Sequence, residues 1–245
     1  MSSREPGLPT LMVLAKAPVP GQVKTRCSPP CTPEQAAQLA RASLDDTLRI
    51  VLDVPASRRV VVLDGDQGDW LPAGFEVIPQ RLGTLGERLD GAFADVGGPA
   101  ILVAMDTPQL DAGLLSEAAL KLAARPGEAL VGPADDGGFW GIGLSYSPPR
   151  LFAQVPMSRN DTCRSLLDAL AGFAIPWTPL PFLTDFDDFE TACVIAQTIP
   201  TSAFAAAVRQ INGELGRAPS ETFAPEESRG VLDAPSQPRT CGAGT

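Results

Sequence analysis

The chain has 245 residues, 44% hydrophobic and 20% charged, an ordinary balance for a globular protein of one large domain or two small ones. A formal charge of −10 argues against a general nucleic-acid binder, which needs a basic face to neutralise phosphates. Histidine is absent, so Ser–His and Cys–His nucleophiles, histidine bases and His-ligated zinc are excluded together, leaving carboxylates, Lys, Arg, backbone amides and metal.

The first predicted strand is Leu11–Ala15. It is too short for a secretory h-region and runs at once into Lys16. No apolar stretch approaches the ~20 residues that span a bilayer, so the expectation is a cytoplasmic protein without a membrane span. The loop after this strand, residues 15–26, carries Gly21 for close backbone approach and the cations Lys16, Lys24 and Arg26. Such a loop can wrap a di- or triphosphate with its amides while Lys24 and Arg26 neutralise it. Gln22 and Val23 separate Gly21 from Lys24, so it is not a Walker A loop. A solvated, proline-rich connection is the plainer alternative. Cys27 and Cys31 resemble half a zinc site, but no second pair stands at suitable spacing among Cys163, Cys193 and Cys241, and reduced thiols are expected throughout.

Thr32, Pro33 and Gln35 then read as N-cap, first helical residue and capping-box partner of the clearest helix. Ala36, Leu39, Ala40, Leu44, Leu48 and Val51 recur on its apolar face. Strands follow at Arg59–Leu63 and Phe75–Ile78. In the next segment, Gln80–Arg88, Gln80 can read a base edge with its two-way amide, and Gly83 allows a base or ribose to approach the backbone. The same segment also reads as a helix start with Thr84 as its cap.

After a helix over Leu85–Phe93, the strand-like run Ala100–Met105 ends in Asp106-Thr-Pro-Gln-Leu110. Five apolar residues thereby deliver a carboxylate to the carboxyl edge of a sheet, where open α/β sheets bind ligands. One Asp there can hold Mg²⁺ against a phosphate. It can also simply end the strand in a turn. A helix over Asp111–Ala124 and strands at Ala129–Val131 and Phe139–Leu144 come next. Between those strands, Asp135-Asp136-Gly137 is a strong hairpin signal. Asp135 or Asp136 could reach an acceptor hydroxyl or the cation, with Phe139 and Trp140 as an apolar floor for a sugar ring. Helices are expected over Asn160–Leu170, Asp187–Gln197 and Ala203–Leu215. Asp187, three residues before Glu190, fits a capping box, or else it faces Asp106 as a second metal carboxylate. Alternating strands and helices imply an α/β domain with a mostly parallel central sheet flanked by helices, over residues 1–216. Residues 217–245, rich in Ala, Pro, Ser, Glu and Gly, read as a disordered tail.

Taken in order, Ala15–Arg26, Leu85–Leu89, Asp106–Leu110, Gly132–Gly138 and Asp185–Asp187 resemble the DUF2064 group of glycosyltransferase-like proteins. That group belongs to the nucleotide-diphospho-sugar transferases with the GT-A fold. The resemblance implies a single Rossmann-like GT-A domain, with Lys16, Lys24 and Arg26 on phosphates. It further implies Mg²⁺ or Mn²⁺ on Asp106, and Asp187 completing the metal site. The group is also similar to guanylyltransferases acting on small phosphorylated acids. Two departures stand out: Met157–Thr162 lacks a Trp-Gly before Asp161-Thr162, and Asp188-Phe189 replaces the usual Thr-Pro.

The expected site therefore has Asp106, Asp136 and Lys24 in the chemistry, and Asp106 and Asp187 on the metal. Lys16, Gly21, Lys24, Arg26, Gln80, Gly83 and Thr84 surround the nucleotide. The reading is a metal-dependent transferase moving a glycosyl group from a nucleotide sugar to a small-molecule acceptor. A nucleotidylyltransferase consuming a nucleoside triphosphate is the alternative, favoured by the cation-rich loop but not by the missing glycine-glycine-x-glycine segment. A non-catalytic nucleotide-binding module is the third.

Overall fold

Strands whose central residues are apolar on both faces require cover on two sides, and seven of them assemble here into one sheet. The structure, a computed structural model, describes residues 7–217. Its strands are β1 (Thr10–Lys16), β2 (Arg59–Asp64), β3 (Glu76–Pro79), β4 (Ala100–Ala104), β5 (Ala129–Pro133), β6 (Phe139–Leu144) and β7 (Trp177–Pro179). Their spatial order is β3-β2-β1-β4-β6-β5-β7. Neighbours are parallel except that β6 runs antiparallel to β4 and β5, so the mostly parallel α/β sheet is present. Strand β7 was not legible in the sequence. It has only three residues, ends in a proline and is partly exposed, leaving no period-two pattern to read.

The helices are α1 (Pro33–Asp53), α2 (Leu85–Val96), α3 (Ala112–Ala124), α4 (Thr162–Gly172), α5 (Phe189–Thr198) and α6 (Ala203–Glu214). Helices α1 and α3 cover one face through Leu44, Leu48, Leu115 and Leu122, packed on Leu11, Val13, Val61 and Ile101. Helices α2 and α4 cover the other through Leu89, Phe93, Leu166 and Leu170, packed on Met12, Val60, Leu102 and Ile142. Both halves of the α1 capping box form, with Gln35 N donating to Thr32 Oγ1 at 3.2 Å and Thr32 N to Gln35 Oε1 at 2.8 Å.

The apolar residues of α1 divide between two layers, where the sequence pattern suggested one face. Ala40, Leu44 and Leu48 pack on the sheet, while Ala36 and Leu39 face an outer layer built by α5 and α6. Buried Asp46 fastens that layer by accepting the amides of Ala203 (3.2 Å) and Phe204 (2.8 Å) at the start of α6. Four orphan amides open every helix, and a carboxylate there is favoured by both hydrogen bonding and the helix dipole. Of the tail expected over 217–245, only Arg217 lies within the described residues. Among those residues, no helix is long and apolar enough to cross a membrane.

From β1 the chain steps outward to β2 and β3, then returns across β1 to β4. The connections on either side of β1 therefore diverge, and this reversal is where an open sheet leaves a crevice at its carboxyl ends.

Candidate active site

Alternation along β4 puts Leu102 and Ala104 on the α2/α4 face, and Asp106 continues that parity just past the strand end. Opposite it lies the segment 184–188, tied to the strand end by Phe186 N donating to Asp106 O (3.1 Å) and by Gln109 Nε2 donating to Thr184 O. Phe186 is wholly buried in the α1/α5/α6 layer, its ring 4.8 Å from that of Phe204. Anchoring Phe186 holds its two neighbours beside Asp106. One carboxylate oxygen each from Asp106, Asp185 and Asp187 lies within 4.8 Å of the others. Burial, followed by the charges of Asp106, Asp136 and Asp187, pushes the Asp185 carboxyl up to about 6.

Lys24 enters this cluster from the first loop. Its Nζ stands 3.0 Å from Asp106 Oδ2 and 3.5 Å from Asp187 Oδ1, donates to Phe186 O, and lies 4.2 Å from the Phe186 ring centroid. The Lys24 side chain is only 9% exposed. Burial alone would lower its pKa, but Asp106, with Asp187 and Asp185 behind it, reverses that and holds the ammonium above its ordinary value. The Lys24 backbone is left-handed (φ 47°), a conformation uncommon outside glycine. Arg26, largely exposed, donates to the outer oxygen of Asp187.

Beside the carboxylates opens a cleft of about 460 Å³. Leu14, Leu85, Leu102 and Phe139 give it an apolar lining, and Asp136, Gly138, Ser158, Arg159 and Asn160 add polar atoms. The hairpin between β5 and β6 forms as Asp136-Gly137 suggested, with Ala134 N donating to Gly138 O (3.0 Å). Gly137 is required there: its φ is 86°, and a Cβ would meet Asn160 O at 2.0 Å. This contact, with Cys163 N donating to Gly137 O (2.8 Å), docks the hairpin on the segment leading into α4. Asp136 accepts from Gly138 N at 2.6 Å through Oδ1. Phe139 contributes to the cleft lining as expected. Trp140 also borders it but is buried, its Nε1 donating to Pro181 O (2.9 Å).

Other expected residues lie apart from the carboxylates. Lys16 Nζ is 3.8 Å from Asp64 at the end of β2. Gly21 forms an exposed turn with φ 75°. Gln80, expected to read a base edge, is engaged within the protein: its Nε2 donates to Ala15 O (2.8 Å) and Val62 O (3.1 Å), and its Oε1 accepts from Arg88 (3.2 Å). Gln80 ties strand ends together and keeps no free amide hydrogen. Thr84 is likewise the cap of α2, its hydroxyl accepting from Glu87 N (3.3 Å) and donating to Glu87 Oε2 (3.0 Å), and Gly83 with φ 126° makes the turn into that cap. Asp187 is not the cap of α5. Asp188 takes that position by accepting from Thr191 N (2.8 Å), which leaves the Asp187 carboxylate to the cluster.

Asp185 was not singled out from the sequence. The signal was its alternation with Asp187 around an aromatic residue, which in an extended segment turns one residue inward and its neighbours outward. Cys27, Cys31, Cys163 and Cys193 are free thiols; burial above all raises Cys27 to about 12 and Cys31 to about 11, so both are protonated.

The family described as "Uncharacterized protein conserved in bacteria (DUF2064)" matches residues 39–159. That span contains Asp106 and Asp136 but neither the first loop nor Asp185 and Asp187. A "putative nucleotide-diphospho-sugar transferase" from Desulfovibrio desulfuricans G20 shares the fold at TM-score 0.76 and 24% identity, covering 85% of this chain and 96% of that one. Rv0371c from Mycobacterium tuberculosis H37Rv aligns at TM-score 0.50 and 18% identity over 76% of this chain and 96% of that one. At these identities the likeness is one of fold. No curated protein matches the chain.

Proposed function

We propose that this chain, a member of the DUF2064 family, is a metal-dependent transferase that moves a glycosyl group from a nucleotide-diphosphate sugar to a small hydroxyl-bearing acceptor. The observation that carries this reading is the meeting of Asp106, Asp185 and Asp187 at the carboxyl edge of the sheet, against a cation-bearing loop and an open cleft.

The donors suit a hard cation. All are carboxylate oxygens, the set that Mg²⁺ and Mn²⁺ prefer, and Asp185, whose carboxyl is raised by burial and then by its acidic neighbours, would be stabilised in its charged form by a positive ion. Asp106, Asp185 and Asp187 would hold the ion. When bound, it supplies positive charge to the departing diphosphate. Lys24 and Arg26, already at the cluster, add charge-assisted hydrogen bonds to phosphate oxygens. The apolar lining takes one face of a sugar ring. Asp136 orients an acceptor hydroxyl with Oδ2, which accepts no hydrogen bond among the described residues.

The cations nearest the cluster are already paired, which tempers the preference for a triphosphate that the loop's composition suggested. Lys24 and Arg26 pair with the cluster, Lys16 with Asp64, and Arg159 with Asp161. An ion on the three carboxylates frees Lys24 and Arg26 for one diphosphate.

A thermal-shift screen of nucleotide sugars and nucleoside triphosphates, each with and without Mn²⁺, tests the reading. A ligand at a hundred times its Kd stabilises the native form by about 2.7 kcal/mol. The expected result is Mn²⁺-dependent stabilisation by a nucleotide sugar. Stabilisation by triphosphates alone would move the assignment to nucleotidyl transfer, and none by either class would remove the nucleotide from it.

A further inference from the structure

We propose that Lys24 is a built-in stand-in for the divalent cation, which must yield its place when the ion and a nucleotide phosphate enter, so that the two ligands bind as a coupled pair. The inference rests on the metal reading above and concerns how that site is regulated.

Nζ already sits where a cation is wanted, 3.0 Å from Asp106 Oδ2 and 3.5 Å from Asp187 Oδ1, with the Phe186 carbonyl and ring completing its surroundings. An Mg²⁺ ion stands about 2 Å from each ligating oxygen. Ion and ammonium would therefore compete for the same two carboxylates, and their mutual repulsion disfavours sharing them. The side chain has somewhere to go. Its four-carbon stem is flexible, and although Val23 before it and Cys27 after it anchor the backbone in the core, Thr25 and Arg26 beside it are exposed and give the side chain a way out to solvent.

Metal arriving alone must turn out the ammonium and leave it without a partner next to a doubly charged ion. Phosphate arriving alone meets two negative carboxylates and a lysine already engaged. When both arrive, the ion takes the carboxylates and the phosphate takes the lysine. Each ligand thus raises the affinity of the other by the same factor, as linkage requires. A phosphate shared between metal and protein would produce some coupling at any such site. The feature specific to Lys24 is that removing it should improve binding of metal alone.

Lysine acylation read by mass spectrometry tests this on the unaltered protein, because the chain has three lysines, and the more exposed Lys16 and Lys121 serve as internal references. Without metal, Lys24 should react at least about tenfold more slowly than Lys121, as follows when its released position is populated at about 10% or less. Saturating Mn²⁺ should bring it near the reference rate, and adding a nucleoside diphosphate should protect it again. In parallel, calorimetry should show Lys24→Met binding Mn²⁺ alone roughly tenfold tighter than wild type, with the nucleotide's effect on that affinity reduced. Mn²⁺ that binds wild type while Lys24 stays protected overturns the stand-in role and leaves the metal site standing, as does equal Mn²⁺ affinity in the variant. Absence of Mn²⁺ binding to either protein overturns the metal site itself, and the stand-in with it. Should Lys24→Met fail to fold, the acylation series on wild type still decides.

Discussion

The two flanks of the sheet's carboxyl edge are both rich in polar residues, yet they are built on opposite terms. On the β2/β3 side, Gln80 and Thr84 are satisfied by their own protein: the amide ties strand ends and the hydroxyl closes a helix cap. On the β4 side, Asp106, Asp185 and Asp187 crowd together with one buried ammonium between them. A polar group that already has its partners contributes to the fold. Like charges held together by a buried anchor such as Phe186 are costly without a counter-charge, and that cost is the stronger pointer to a ligand.

Asp106→Ala should break the β4 flank most completely. The tie between Asp106 O and Phe186 N is a backbone bond and survives the substitution, so the fold should hold. Metal-dependent turnover should fall by about a thousandfold, the upper range for losing one preorganised electrostatic element, and the Mn²⁺-induced thermal shift should disappear. Full metal-dependent activity in this variant would falsify the site assignment.

Acidity sharpens the same flank by a smaller factor. With its carboxyl raised to about 6, Asp185 gives the metal-free protein stability that is present below about 3.8 and lost as pH rises through 6. A metal ion reverses the sign, since it binds only the ionised form. Mn²⁺ affinity should therefore weaken about tenfold per pH unit below 6, while above 6 it levels off. Titration calorimetry between pH 5 and 7.5 would show the break, and Asp185→Asn should bind weakly without it. A wild-type affinity that is flat across this range would mean that Asp185 is not a ligand.

Much of this was legible in the sequence, and the misses have physical causes. Strand β6 and the capped start of α1 follow from patterns local to a few residues, and the structure reproduces both. The approach of Asp106 and Asp187 was expected, whereas Asp185 and the partners of Lys24 were not. Those depend on Phe186 being buried against Phe204, a contact no local pattern encodes. The internal partners of Gln80 were hidden for a related reason. A carboxamide has the same hydrogen-bonding groups whether it faces a nucleobase or two strand-end carbonyls, and only the packing of β1 beside β2 decides. Similarly, Asp187 and Asp188 are equivalent cap candidates in sequence until the helix start is fixed to one residue.

The β2/β3 flank yields the smallest effect, and its value lies in what stays constant. Thr84→Ala removes a hydroxyl that both accepts from Glu87 N and donates to Glu87 Oε2, undoing half of the α2 capping box. Losing such a cap costs about 1 kcal/mol. Because Thr84 is a group the protein satisfies internally, nucleotide affinity and metal response should match wild type once the lower melting temperature is allowed for. Thr84→Ser, which keeps the oxygen, should restore most of the stability. The opposite pattern, an unchanged melting temperature with nucleotide affinity reduced tenfold, would show that this hydroxyl faces the ligand in the bound state. The division between a self-satisfied flank and a ligand-seeking one would then fail at its weakest point, since the α2 cap and the nucleotide would be alternative partners for one oxygen.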